Sequence, residues 1–264
     1  MIIDVMTAVV TIGGLGLVLG AGLGFAGKKF AVEVDERVEL VNSLLPGANC
    51  GGCGFPGCEQ LAVAMVEGRA ANNACPPAGA DGAAKIAEAL GQEVVEGKRM
   101  VAYIKCVGGE SKAVFGYEYS GLGDCRSAGM LAGGGPKSCR YGCLGMGSCV
   151  AVCPFDAIVY EDGIAVVDED KCVTCSKCLD VCPNNLIELV PADSAFRVGC
   201  MSKDNAKVVR ALCQKGCIAC KICVKACEDD AAHVEEQIAK IDYEKCTKCR
   251  KCAEKCPTKV ISGL

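Results

Sequence analysis

Adding 74 to the positions of Cys139, Cys143, Cys149, Cys153, Cys172, Cys175, Cys178 and Cys182 lands on Cys213, Cys217, Cys223, Cys227, Cys246, Cys249, Cys252 and Cys256. Eight matches at one offset mean that a cysteine-rich unit occurs twice in tandem. Each copy ends in a run of the same form, Cys172-x2-Cys175-x2-Cys178-x3-Cys182-Pro183 and Cys246-x2-Cys249-x2-Cys252-x3-Cys256-Pro257. Three thiolates at that spacing reach three irons of one [4Fe-4S] cube, while the cysteine before the proline points toward a neighbouring cube. Units this small draw much of their folding free energy from the metal they wrap.

Other uses of 24 cysteines in 264 residues fit less well. A disulfide framework belongs to small secreted domains, whereas this chain has room for ordinary cores and spaces its cysteines too closely for simple bridges. Structural zinc takes Cys-x2-Cys pairs separated by a longer loop, not a third cysteine two residues on followed by Cys-Pro. Dense free thiolates imply a reducing compartment. No nucleic-acid partner is expected.

The N-terminus carries a second signal. From Val5 to Ala26 there is no charge, so this stretch as a helix is long enough for a hydrocarbon core of about 30 Å. The basic pair Lys28-Lys29 follows the apolar run, which places everything after it on the cytoplasmic side and argues against a cleaved signal peptide. Gly16, Gly20 and Gly24 share one helical face, a small-residue stripe that admits a partner helix or simply reflects the frequency of glycine in membrane helices. Val34, Val38, Val41, Leu44 and Leu45 then predict an amphipathic helix ending before Pro46.

That helix leads into Cys50-x2-Cys53-x4-Cys58-x16-Cys75, a glycine-rich set of four that accounts for one cluster, with short helices expected over Leu61–Gly68 and Gly82–Leu90. In the second repeat, the spacing assigns Cys217, Cys220, Cys223 and Cys256 to one cube, and Cys227, Cys246, Cys249 and Cys252 to another. In the first repeat, Cys153, Cys172, Cys175 and Cys178 form an equally regular set. Its other set is irregular, because Met146 stands where Cys220 stands in the second repeat. Cys139 is therefore expected to complete Cys143, Cys149 and Cys182. Cys106, Cys125, Cys200 and Cys213 remain, either as buried free thiols or as a sixth set; the sixth set is the reading adopted.

Strands are expected at Ala157–Tyr160 and Ile164–Val167, and again at Ala231–Val234 and Ile238–Ile241. The fold class is thus α+β: one N-terminal transmembrane helix, a small [4Fe-4S] module and tandem ferredoxin-like twin-cluster domains. The expected divisions are 1–30, 31–98, 99–199 and 200–264. From Met201 onward 13 Lys and Arg outnumber 9 Asp and Glu, and Lys221, Lys225, Lys245, Lys248, Arg250, Lys251, Lys255 and Lys259 crowd the cysteine runs. Such a rim would steer an acidic electron donor, or it offsets the negative charge of bound clusters.

A single N-terminal span, the amphipathic helix, LLPGANCGGCGFPGC, ACPP, YGCLGMGSCVAVCPFDAI and tandem cysteine runs together resemble the B subunit of the Rnf complex, in its long cysteine-rich form. The resemblance covers nearly the whole chain. It implies an electron-transfer subunit of an ion-translocating ferredoxin:NAD oxidoreductase in the bacterial cytoplasmic membrane, with its cluster domains on the cytoplasmic side. Its implied partners are soluble reduced ferredoxin and the other membrane subunits, and transport of Na+ or H+ is the coupled work. Flavin and nicotinamide are then expected on other subunits, in keeping with the lack of a dinucleotide fingerprint here. No catalytic acid or base is required of this chain. A membrane-tethered polyferredoxin serving another oxidoreductase or a corrinoid system is the alternative.

Overall fold

The computed structural model describes residues 2–29, 35–95 and 97–263. Helix α1, Ile2–Lys29, covers the apolar N-terminal run as expected and ends on its two lysines. Among the described residues no helix is long and apolar enough to cross a membrane; within α1 the described side chains are Met6 and those from Gly13 onward. A Cβ placed on Gly16, Gly20 or Gly24 meets nothing within 4 Å.

Helix α2, Glu36–Leu44, is capped by Asp35, whose carboxylate accepts the Arg37 N–H at 2.9 Å. It stops at Leu45, which is extended (φ −80°, ψ 151°), because Pro46 disfavours helical backbone in the residue before it. Val34, the first apolar position expected on this helix, lies outside the described residues. Val38 and Val41 pack with Leu61 and Met65 of α3, Cys58–Val66, and with Ile86 of α4, Gly79–Leu90. Gly91 closes α4 in the left-handed region at φ 63°. Both short helices fall where the sequence placed them, each beginning about a turn earlier.

The two repeats build the same pair of two-stranded sheets. In the first, β1, Met100–Ile104, pairs antiparallel with β4, Ile187–Pro191, while β2, Ile158–Glu161, and β3, Ile164–Val167, form a hairpin turned by Asp162-Gly163. In the second, β5, Phe196–Val198, pairs with β8, Ile261–Gly263, and β6, Ala232–Glu235, pairs with β7, Ile238–Ile241. Because β5 precedes residue 200, the sheet of the second unit reaches back across the division expected at 199/200.

Short helices flank the cysteine runs. They are α5, Cys125–Gly129, α6, Ser148–Val152, and α7, Lys177–Val181, in the first unit, then α8, Ala206–Leu212, α9, Ile222–Ala226, and α10, Lys251–Glu254, and all but α8 contain one cysteine. The duplication extends to strained backbone. Thr174 and Ser176 (φ 60° and 64°) match Lys248 and Arg250 (59° and 69°), and Asn185 (49°) matches Lys259 (51°). Non-glycine residues are rarely left-handed, so the same excursions at a 74-residue offset mark loops bent around the same object.

The units are joined by backbone hydrogen bonds from Val107 N–H to Gly199 O at 3.0 Å and from Val114 N–H to Leu212 O at 2.9 Å. Buried Arg197 on β5 adds an ion pair to Glu169 of the first unit and bonds Ser194 Oγ at 2.8 Å and Pro191 O at 3.1 Å.

Candidate metal centres

Each regular set expected from spacing converges on one cavity. Cys153, Cys172, Cys175 and Cys178 line one of about 350 Å³. Cys217, Cys220, Cys223 and Cys256 line another of about 320 Å³, and Cys227, Cys246, Cys249 and Cys252 a third of about 330 Å³. Main-chain donors aim at these sulfurs in both repeats: Ala157 N–H to Cys153 Sγ at 3.4 Å, and its counterpart Ala231 N–H to Cys227 Sγ at 3.3 Å. In the N-terminal module, Cys75 is buried beside Cys53 and Cys58. Its thiol is pushed up to about 11 by burial, with the neighbouring thiols of Cys53, Cys58 and Cys50 adding to the effect.

The two remaining sets differ from expectation by an exchange of one cysteine. Cys125, not Cys139, joins Cys143, Cys149 and Cys182 around a cavity of about 360 Å³. Cys139 instead joins Cys106, Cys200 and Cys213 around one of about 450 Å³ at the junction of the two units. The physical reason is a small polar network that the spacing does not reveal. The Cys125 N–H donates to Ser148 Oγ at 2.8 Å, and Ser148 Oγ donates to Asp124 Oδ1 at 3.1 Å. Asp124 also caps α5 through the Ser127 N–H at 2.7 Å. These bonds bind the start of α5 to the start of α6, so Cys125 sits beside Cys149 and replaces the thiol that Met146 cannot supply. Cys139 and Cys213, counterparts in the duplication, then do the same job at one site.

These donors suit an iron–sulfur cube. Each of the five cavities gathers four cysteines and no histidine, and the one carboxylate among their linings is Asp229 beside the Cys227 set. The thiols of Cys149 and Cys178 are pushed up to about 12, by burial first and by their cysteine neighbours in addition. Thiols raised this far stay protonated on their own, and a bound cation is what would let four of them ionise together out of water. Among the described residues no group of three or more His, Cys, Asp or Glu could hold a single metal ion.

Neighbouring sets also lie close to one another. Gly52 of the N-terminal module packs so closely on Cys175 that an added Cβ would stand 2.9 Å from its Cα and its carbonyl oxygen. Beyond burial, the largest effect, Cys149 responds to Cys178 of the adjoining set, Cys143 to Cys106, Cys200 to Cys217 and Cys223 to Cys252. The N-terminal module and the five cavities thus each have a neighbouring cysteine set close by.

Family models match three of these regions: a putative Fe-S cluster over residues 45–77, a 4Fe-4S dicluster domain over 136–183 and a 4Fe-4S binding domain over 239–262. Over 98% of its length the chain is 50% identical to the B subunit of the Na(+)-translocating ferredoxin:NAD(+) oxidoreductase complex of Acetobacterium woodii, covering 78% of that protein. It is 42% identical to the B subunit of the ion-translocating oxidoreductase complex of Methanosarcina acetivorans, with 97% of each chain covered. It is 39% identical to the B subunit of the proton-translocating ferredoxin:NAD(+) oxidoreductase complex of Clostridium ljungdahlii, covering all of this chain and 92% of that one. The chain belongs to the Rnf-type B-subunit family. Two of these relatives are named for different ions, so family membership leaves the coupling ion open. As a member it is an iron–sulfur electron-transfer subunit of an oxidoreductase complex.

The expected basic rim is partly neutralised within the fold. Lys248 pairs with Asp193 at 2.9 Å, Lys251 with Glu228 at 2.6 Å and Lys245 with Asp242 at 3.9 Å. Among the described residues Lys221, Lys225 and Lys255 make no ion pair.

Proposed function

We propose that this chain is a membrane-anchored conductor of six [4Fe-4S] clusters, which accepts electrons from reduced soluble ferredoxin and passes them to the membrane and flavin subunits of an Rnf-type complex coupled to Na+ or H+ translocation. The observation that supports the reading is the convergence of twenty cysteines on five cavities in sets of four, beside the N-terminal cysteines gathered around Cys75. Clusters bound there supply one-electron transfer without proton chemistry. The chain's own contribution is to space the sets, bury them in small apolar cores and aim N–H groups at the sulfurs. At Cys256, burial works to raise the thiol, yet the N–H groups of Ile261, Val260 and Thr258 and the Thr258 hydroxyl hold it below its ordinary value.

Helix α1 is the anchor in this reading. Its 28 residues reach about 42 Å at about 1.5 Å per residue, more than a bilayer core of about 30 Å. Leu17 and Leu23 are each 74% exposed, with Leu15, Leu19 and Phe25 also bare, an arrangement suited to lipid. Lys28 and Lys29 then hold the cluster-bearing portion on the cytoplasmic side. The small-residue face of Gly16, Gly20 and Gly24 is open to a helix of another subunit.

Anaerobically purified full-length protein tests the reading. It should be brown, carry about 24 iron and 24 acid-labile sulfide, and bleach when mixed with reduced ferredoxin. Colourless protein loaded with zinc would overturn the electron-transfer reading. Recovery of corrinoid proteins rather than flavin-bearing membrane subunits would favour the tethered polyferredoxin.

A further inference from the structure

Lys137 is an unusual residue to find inside this fold. Lys137 and Arg197 are the buried basic side chains among the described residues, at 2% and 3% exposure. Arg197 pairs with Glu169, whereas Lys137 has no carboxylate within ion-pair distance among the described residues. Its Nζ donates to Gly108 O at 2.6 Å and lies 5.6 Å from the centre of the Phe115 ring. A carbonyl and a ring face stabilise an ammonium, but neither carries the net negative charge that a buried cation requires.

That charge is available in the cavity Lys137 lines, where Cys106, Cys139, Cys200 and Cys213 converge. Lys215 shares the lining, as does Lys105, which is ion-paired outside it with Glu188 at 3.0 Å, and no Asp or Glu lines the cavity itself. The Cys125 and Cys153 sets have no charged residue in their linings, and the Cys217 set has only Lys221. The junction set therefore lies in the most cationic surroundings among those four.

We propose that Lys137 is a potential-setting residue: its buried ammonium raises the reduction potential of the cluster held by Cys106, Cys139, Cys200 and Cys213 above those of the sets on either side. The proposal rests on the reading of this set as a cluster site. Reduction adds one negative charge to a cluster, and a fixed positive charge in a medium of low dielectric favours the more negative form. An electron crossing between the two ferredoxin-like units would then pause at their junction. A purely structural lysine, tying the Gly108 loop down by one hydrogen bond, would not shift a potential selectively.

The test is a potentiometric titration of the full-length, cluster-loaded protein followed by electron paramagnetic resonance. The junction signal is identified as the one lost from the Cys106→Ala/Cys139→Ala double variant. In the unmodified protein it should titrate above the signals of the two flanking clusters. In Lys137→Met and Lys137→Gln it should shift downward by at least a tenfold change in its electron-exchange equilibrium, about 59 mV for one electron. Iron content and the other potentials should hold, and Lys137→Arg should restore the junction value. A junction cluster that titrates below its neighbours in the unmodified protein overturns the proposal, whether or not the variants load. So does full iron content in Lys137→Gln with no shift. If the double cysteine variant loses no iron, the cluster reading of this site fails, and the proposal with it.

Discussion

Pairs of cysteine substitutions can decide which thiols share a cluster, where single substitutions cannot. Cys106 and Cys139 line one cavity and Cys125 lines another. Replacing Cys106 and Cys139 together by alanine removes two of four ligands from one site, so about 4 of about 24 iron and the same sulfide should go. Replacing Cys106 and Cys125 damages two sites, each keeping three cysteines. Loss of both cubes would take about 8 iron, and even a site that retains iron on three thiolates should change its spectrum. Spacing alone predicts the opposite pattern, with Cys106 and Cys125 together and Cys139 elsewhere. The assay is iron, sulfide and the count of perturbed paramagnetic signals on anaerobically purified protein. One perturbed signal for Cys106/Cys139 and two for Cys106/Cys125 supports the convergence described above; the reverse refutes it. Asp124→Ala, which removes the acceptor for Ser148 Oγ and the α5 cap, should weaken the Cys125 cluster alone and cost about 1 kcal/mol of local stability.

Four further outcomes are expected. In Gly52→Ala the new Cβ starts 2.9 Å from Cys175, so the facing loops must separate by about 0.6 Å to reach ordinary contact, and electron exchange between the N-terminal module and the rest should slow in stopped-flow while iron content holds. Removing residues 1–26 should release a soluble, brown protein with all its iron, because every cysteine lies beyond α1; truncated protein that still sediments with membranes would count against the anchor. Lys221→Glu combined with Lys255→Glu should lower the second-order rate of reduction by ferredoxin several-fold at low ionic strength and flatten its salt dependence, and an unchanged rate would clear this face of a docking role. Arg197→Met strands Glu169 at the junction of the units, with a loss of about 3 kcal/mol expected from the broken buried pair and a lowered thermal midpoint as the readout.

Where a structural rule is local, the sequence carried it. Cysteine spacing at two and three residues dictates which thiols can face one cube, and the regular sets, with both hairpins, appear within a residue of their expected places. Pro46 ended α2 and Gly91 ended α4 for backbone reasons visible in single residues. Pairing of β5 with β8 was not legible, because Phe196–Val198 is three residues long and its partner lies more than 60 positions away. The exchange of Cys125 for Cys139 was hidden for a related reason. Elimination gave the irregular set Cys139, yet nearness in space is fixed by Asp124 and Ser148, whose bond spans 24 residues. One local clue existed: Asp124-Cys125 followed by Ser127 reads as a helix start, and a cysteine placed at a helix N-terminus is held in a defined direction. The duplication held a second clue, since Cys139 and Cys213 share an offset with seven other pairs and so favour a common role. That symmetry places one counterpart cysteine from each unit in the same cavity, so the residues that line the junction come from both halves of the duplication.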